Sequence, residues 1–183
     1  MEREVVLTLV RARVQNANLI KHMLATETIM KALARRLGQD EKEWGLVGLL
    51  HDIDVELTEH EPQSHSKLGA DLAREMGASE AMCHAILCHN EAHGVPCETL
   101  LDKALFCADP LTGLITAAAL VRSDKSLAGL TSESLMKRFR EKRFAAGANR
   151  EIIASCQQID LDLEEFVSLG LNAVKGVASD LGL

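Results

Sequence analysis

His51 and Asp52 stand side by side at the end of the apolar run Gly48-Leu49-Leu50, followed by Ile53 and Asp54. Neither an imidazole nor a carboxylate is normally buried without a partner. A divalent metal is one such partner, because neutral imidazole and carboxylate oxygen both ligate transition metals well. Two adjacent residues do not close a site, so other donors must face the same place. A histidine or acid on the apolar stripe of its own helix points inward, and four more residues meet that test. His22 is followed by Ile29 and Leu33, His65 by Leu68, Gly69 and Leu72, while His89 follows Met82, Ala85 and Ile86, and Asp109 follows Leu101, Leu105 and Phe106. His51 itself follows Trp44 and Val47. All are at helical spacing from core residues.

A lone histidine on an apolar face is more often a satisfied core residue than a ligand. His22, His51, Asp52, His65, His89 and Asp109 together are a different case. Burying them without mutual use would cost on the order of a few kcal/mol each, comparable with the whole stability of a domain. A shared metal site removes that cost. His60 and His93 fall in expected loops and His84 lies off the Met82 stripe, so these three are read as surface or supporting residues.

The elements that must position these groups are helical. Apolar residues recur at three- and four-residue steps almost throughout, and strand-like alternation is absent. A first helix is expected over about residues 3 to 14, and a second, capped by Asn16 or Asn18, runs to Leu37 and stops at Gly38. Asp40 and Glu43 form a capping box for the helix that delivers His51 and Asp52. A polar loop over 56 to 63 leads to a helix from Ser64 to Met76, and Ser79 caps another through Cys88. After a loop from His89 to Cys97, Thr99 or Asp102 starts a helix that Pro110 is expected to interrupt or kink. Beyond Arg122 come a turn-rich connection, a basic helix capped by Thr131, a small-residue loop over Ala145 to Asn149, a helix from Arg150 to Gln158, and a closing amphipathic helix from Leu163 to Leu181. The fold class is all-α, with residues 1–122 as the metal-binding core and 123–183 as a helical extension packed on the same domain.

Composition narrows the function classes. A net charge of −7 and a pI near 5.5 argue against nonspecific nucleic-acid binding. The basic run from Lys137 to Arg143 could contact phosphates, although a solvated helix face is the ordinary reading. With no Tyr and four Phe, a stacking platform for single strands is not expected. Five cysteines without a C-x-x-C pair fit free thiols in a reducing compartment. The charged N-terminus lacks the apolar segment of a signal peptide, and no apolar run is read as crossing a bilayer. The chain is therefore read as soluble and cytoplasmic, with no membrane partner.

The order His22, His51-Asp52, His65, His89, Asp109 resembles the HD superfamily of metal-dependent phosphohydrolases, in particular the six-ligand branch that holds two metals. The flanks agree: Lys21-His22, Gly48-Leu49-Leu50-His51-Asp52-Ile53, His65-Ser66-Lys67-Leu68-Gly69-Ala70, Ile86-Leu87-Cys88-His89 and Ala108-Asp109. The likeness covers roughly residues 16 to 120, and the segment from His65 to Met76 is similar to bacterial dinucleoside tetraphosphate hydrolases. The resemblance implies an HD-type helical domain with one metal between His22, His51 and Asp109, also touched by Asp52. A second metal would lie between His65 and His89, with Asp52 bridging. It further implies hydrolysis of a phosphoester or phosphoanhydride in a nucleotide or other small phosphorylated molecule, by a water activated at the metals. Histidine-rich ligation favours iron, manganese, cobalt or zinc.

Many relatives carry a lysine or arginine shortly after the His-Asp pair, where Asp54 and Val55 stand here. Lys67 and Lys21 are candidates to replace that cation. Asp54 and Glu56 are candidates to hold a ligating histidine by hydrogen bonding or to position the attacking water. Asp52, Lys67 and Asp54 are thus the expected catalytic groups. Two other classes stay open, a diiron oxygenase and a non-catalytic module that binds metal or nucleotide. The segment from about residue 123 carries no assignable motif and is read as shaping the substrate pocket or a subunit contact, so an oligomer is possible.

Overall fold

In the computed structural model, which describes residues 1–183, ten α-helices and two short 3-10 turns account for all the regular structure, and no strand forms. In chain order they are α1 (Arg3–Arg13), α2 (Ala17–Leu37), α3 (Glu41–Leu50), α4 (Lys67–Glu75), α5 (Glu80–Cys88), α6 (Leu100–Leu120), α7 (Ser132–Arg140), α8 (Arg150–Ala154), α9 (Leu163–Lys175) and α10 (Ala178–Leu181). The 3-10 turns are Glu91–His93 and Ser155–Ile159.

Local chemistry sets the ends. Asn16, Asp40, Ser79, Asn149 and Asp162 each accept backbone N–H bonds in the first turn of the helix that follows, and Thr99 with Asp102 makes a reciprocal capping box for α6. Gly38 closes α2 at φ +67°, a left-handed conformation that costs glycine little.

The two 21-residue helices α2 and α6 run through the centre. Helix α2 packs most extensively on α3 and also touches α6, α9 and α10, while α6 touches α5, α7, α8 and α9. One continuous core results, joining Ile29, Leu33, Leu50 and Leu105 to Leu135, Ile153, Phe166 and Val174 from the C-terminal helices. Helix α6 is long and apolar enough to cross a membrane by composition, contrary to the expectation of no such run. Its apolar side is spent on packing in the centre of this core, where 12 of its residues are buried.

Four expected boundaries differ, one being the helix expected to reach Gln158, which is α-helical only to Ala154 and continues as the 3-10 turn Ser155–Ile159. Pro110 does not break α6, which continues through it; Phe106 and Pro110 both line an open cleft, so the hydrogen bond that proline cannot donate is lost beside solvent, not in the core. The closing helix stops at Lys175, where Gly176 and Val177 separate α9 from the short α10. The helix expected from Ser64 begins at Lys67, because Ser66 turns left-handed at φ +66°. A positive φ in a non-glycine residue is uncommon and needs local compensation.

Candidate metal centre

Helix α3 carries the His-Asp pair into the interior. Gly48 lets it do so: a Cβ there would lie 2.8 Å from both Cα and N of Glu27, so only glycine permits this approach of α3 to α2. One turn later His51 is wholly buried, and its Nδ1–H donates to the Gly48 carbonyl at 2.9 Å.

The same arrangement recurs at the other three histidines. His89 donates from Nδ1 to the Ile86 carbonyl at 2.5 Å and His65 to Asp54 Oδ1 at 3.0 Å. His22 Nδ1 lies 2.8 Å from Thr112 Oγ1, whose own proton is committed to the Asp109 carbonyl at 2.7 Å. Carbonyl, carboxylate and committed hydroxyl can only accept here, so each ring carries its proton on Nδ1 and turns a bare Nε2 toward the centre.

Those nitrogens meet two aspartates. His22 Nε2 lies 3.0 Å from His51 Nε2, 3.1 Å from Asp109 Oδ1 and 3.3 Å from Asp52 Oδ2. His51 Nε2 is 3.4 Å from the same Asp52 oxygen and 3.7 Å from Asp109 Oδ1. The other Asp52 oxygen, Oδ1, is 3.5 Å from Nε2 of both His65 and His89. Asp52 therefore divides its oxygens between two donor groups: His22, His51 and Asp109 on one side, His65 and His89 on the other.

Four lone-pair nitrogens around the oxygens of two carboxylates, with no hydrogens between most of them, are the donor set of a cation. Without one, protons must fill that role. Burial pulls the His22 ring down, but Asp109 and Asp52 against it win and push it up to about 10. Burial likewise works against ionised Asp52 and Asp109, yet the surrounding histidines hold both carboxyls well below the usual range.

Asp54 is fully buried and does not face the cluster. Its Oδ2 accepts from the backbone N–H of Ser66 at 2.7 Å and Gly69 at 2.8 Å, while Oδ1 takes the His65 proton. These bonds compensate the left-handed Ser66 and fix the His65 ring. Glu56 lies elsewhere, accepting from the N–H groups of Gln15 and Asn16 at the start of α2. Lys67 is exposed and lines a separate depression with Arg74 and His84, and Lys21 lines another with Thr116 and Leu183. His84 pairs with Asp102, His93 Nε2 hydrogen-bonds to the His65 carbonyl, and His60 is exposed.

Above the cluster opens a cleft of about 850 Å³, lined by Asp52, His65, His89 and Asp109 below and by residues 146–152 with Lys142 above. The expected basic helix face does not include Lys142, because α7 ends at Arg140. Lys142 is exposed, makes no ion pair and stands in the cleft wall. Arg150 builds the loop that carries it, donating to the carbonyls of Phe139, Phe144, Ala145 and Ala148. Lys142 belongs to the basic run from Lys137 to Arg143 that was expected to be able to contact phosphates, whereas nothing in the sequence singled out Arg150 or Thr112, although Thr112 follows Asp109 by three positions in α6.

The profile of the HD domain family matches residues 19–114. Among curated proteins the chain is similar to ribonuclease Y of Oleidesulfovibrio alaskensis, at 35% identity over 96 residues covering 52% of this chain and 18% of that protein. It is also similar to ribonuclease Y of Lawsonia intracellularis, at 31% over 138 residues (74% and 26%), and of Geobacter sulfurreducens, at 28% over 167 residues (90% and 32%). The matches span 18% to 32% of the length of these relatives. No matching solved structure was found.

Proposed function

The chain belongs to the HD domain family, and from that premise we propose that it is a dinuclear metal-dependent phosphohydrolase acting on a nucleotide or other small phosphorylated molecule. The observation that carries this reading is the division of the Asp52 oxygens between two sets of bare imidazole nitrogens. His22, His51 and Asp109 would hold one divalent ion and His65 with His89 the other, with Asp52 bridging. The nitrogen-rich set favours iron, manganese, cobalt or zinc. Ions bound there supply Lewis acidity toward a phosphoryl oxygen and lower the pKa of a water toward neutrality.

The chain's own groups do the remaining work. The hydrogen bonds from Nδ1 fix each ring so that the lone pair needs no reorientation on binding. Asp54 acts through His65 as a positioning residue. Asp109 is about one-third exposed at the cleft floor, which leaves one face of the cluster open for substrate. Lys142, across the cleft, is the cation placed to neutralise a phosphate, in the role expected of Lys67. Phe106 and Pro110 offer an apolar wall against which a base or other organic group can pack.

The name shared by the curated relatives points to RNA as a second reading. A small substrate is favoured because a polyanion is held through several phosphate contacts, whereas this cleft presents Lys142 as its one uncommitted cation in a chain of net charge −7. The test is metal analysis of protein purified without added metal, followed by hydrolysis assays on mononucleotides, dinucleoside polyphosphates, simple phosphomonoesters and short single-stranded RNA. Release of phosphate or nucleotide from the small substrates, abolished by His51→Ala and by Asp52→Ala, is expected. Cleavage of RNA alone would replace this substrate assignment. Retention of metal and activity in both variants would refute the metal centre, and oxygen consumption dependent on iron and an organic substrate would move the enzyme to the oxygenase class.

A further inference from the structure

A second cluster of side chains that could hold a metal lies at the C-terminal end of α5, just before His89 and sharing no residue with the first. His84 and Cys88, four positions apart, occupy one face of α5; Cys97 comes from the following loop and Asp102 from the first turn of α6. His84, Cys88 and Asp102 each present a donor atom within 4.8 Å of the other two. His84 Nδ1 is 3.0 Å from Asp102 Oδ2, and Cys97 Sγ is 3.4 Å from Cys88 Sγ. Cys88 and Asp102 are buried, while His84 and Cys97 are partly open to solvent.

One feature of this cluster is unexplained by the fold. Asp102 Oδ2 is fully used, accepting from the N–H groups of Glu98 and Thr99 and from His84. Its Oδ1, on a side chain with no solvent exposure, has no partner at all. A buried carboxylate oxygen without a donor is costly, and such an orphan calls for a ligand.

We propose that His84, Cys88, Cys97 and Asp102 form a structural zinc site. Two thiolates, an imidazole and a carboxylate make a closed four-ligand set with a preference for zinc. Tetrahedral zinc, with bonds of about 2.3 Å to sulfur and 2.0 Å to nitrogen or oxygen, sets its ligand atoms about 3.3–3.8 Å apart. The 3.4 Å between the Cys88 and Cys97 sulfurs is already in that range, His84 and Asp102 present donors within 4.8 Å of Cys88, and closing the site needs Cys97 to draw in toward them. Binding releases the two thiol protons to solvent and gives Asp102 Oδ1 the partner it lacks. The site would staple the end of α5, the 89–98 segment and the start of α6 together. That segment carries His89 and the cleft residues Asn90 and Glu91, so the staple fixes one wall of the catalytic cleft.

Cobalt substitution tests this without reference to activity. The His/Asp centre contains no sulfur, so a thiolate-to-cobalt charge-transfer absorption can come only from cysteine ligands. The reduced full-length protein loaded with cobalt is expected to show that absorption, to retain it in Asp52→Ala, and to lose it in the Cys88→Ser/Cys97→Ser double variant. In the wild-type protein, zinc should slow the reaction of Cys97 with a disulfide reagent by about tenfold or more, reversibly on chelation, since the reagent needs a free thiolate. Absence of the sulfur absorption, its persistence in the double variant, or formation of a Cys88–Cys97 disulfide with zinc in excess of all three proposed metal positions would overturn the proposal. The wild-type measurements stand even if the double variant does not fold.

Discussion

Asp54→Asn tests the link between the buried acid and the metal centre. The substitution keeps the shape but replaces one acceptor oxygen by an NH2 donor. With the amide oxygen facing His65, the NH2 would confront the N–H groups of both Ser66 and Gly69 and leave two buried donors unpaired, at about 1–3 kcal/mol each. The amide therefore turns the other way and keeps those two bonds. Its NH2 then donates to His65 Nδ1, which forces the ring proton onto Nε2, the atom that must ligate. Recovering the lone pair means breaking that contact, and loss of such a partner typically weakens metal binding by about 10–100-fold, or about 1.4–2.7 kcal/mol. Competitive chelator titration of metal-depleted protein should show one ion weakened by that factor while the ion at His22, His51 and Asp109 binds normally. Hydrolysis should fall at limiting metal and recover in excess. Unchanged binding of both ions, or equal weakening of both, would refute the role assigned to Asp54.

Gly48→Ala would drive a methyl into the backbone of Glu27 at 2.8 Å, so α3 must shift; a loss of about 1–3 kcal/mol in denaturant unfolding is expected, together with weaker metal binding through His51. Lys142→Ala should leave unfolding within about 0.5 kcal/mol of the parent while raising KM for phosphorylated substrates by about tenfold, or about 1.4 kcal/mol, as read from steady-state kinetics. In chelated protein His22 holds its proton up to about 10, above its unfolded value, so that contribution to stability is complete below about pH 6.5 and is lost as the pH rises through about 10. Asp52 and Asp109 are shifted downward, so theirs is present above the ordinary carboxyl range and lost in acid. Thermal melts of the chelated protein should therefore decline from pH 7 to 10, and metal-loaded protein, in which an ion replaces the proton, should decline less.

The amino-acid sequence by itself determined the all-helical class, most helix starts and the six residues of the first donor cluster. Helical periodicity and capping chemistry are local, and a polar residue repeated on apolar stripes can be seen without knowing how the stripes meet. The family resemblance was legible for the same reason, since its signature is an order of residues along the chain. Only the tertiary structure decided which oxygen of Asp52 faces which histidines, and that Asp54 lies behind His65 and not in the cleft. It also put Lys142 in the wall of the cleft above the cluster and Lys67 in a separate depression, because the α7–α8 loop, held by Arg150, folds back from more than 30 residues downstream of Asp109. The His84, Cys88, Cys97 and Asp102 cluster was hidden in the same way. Its members satisfy no sequence motif, and they meet only because α5 and α6 pack side by side.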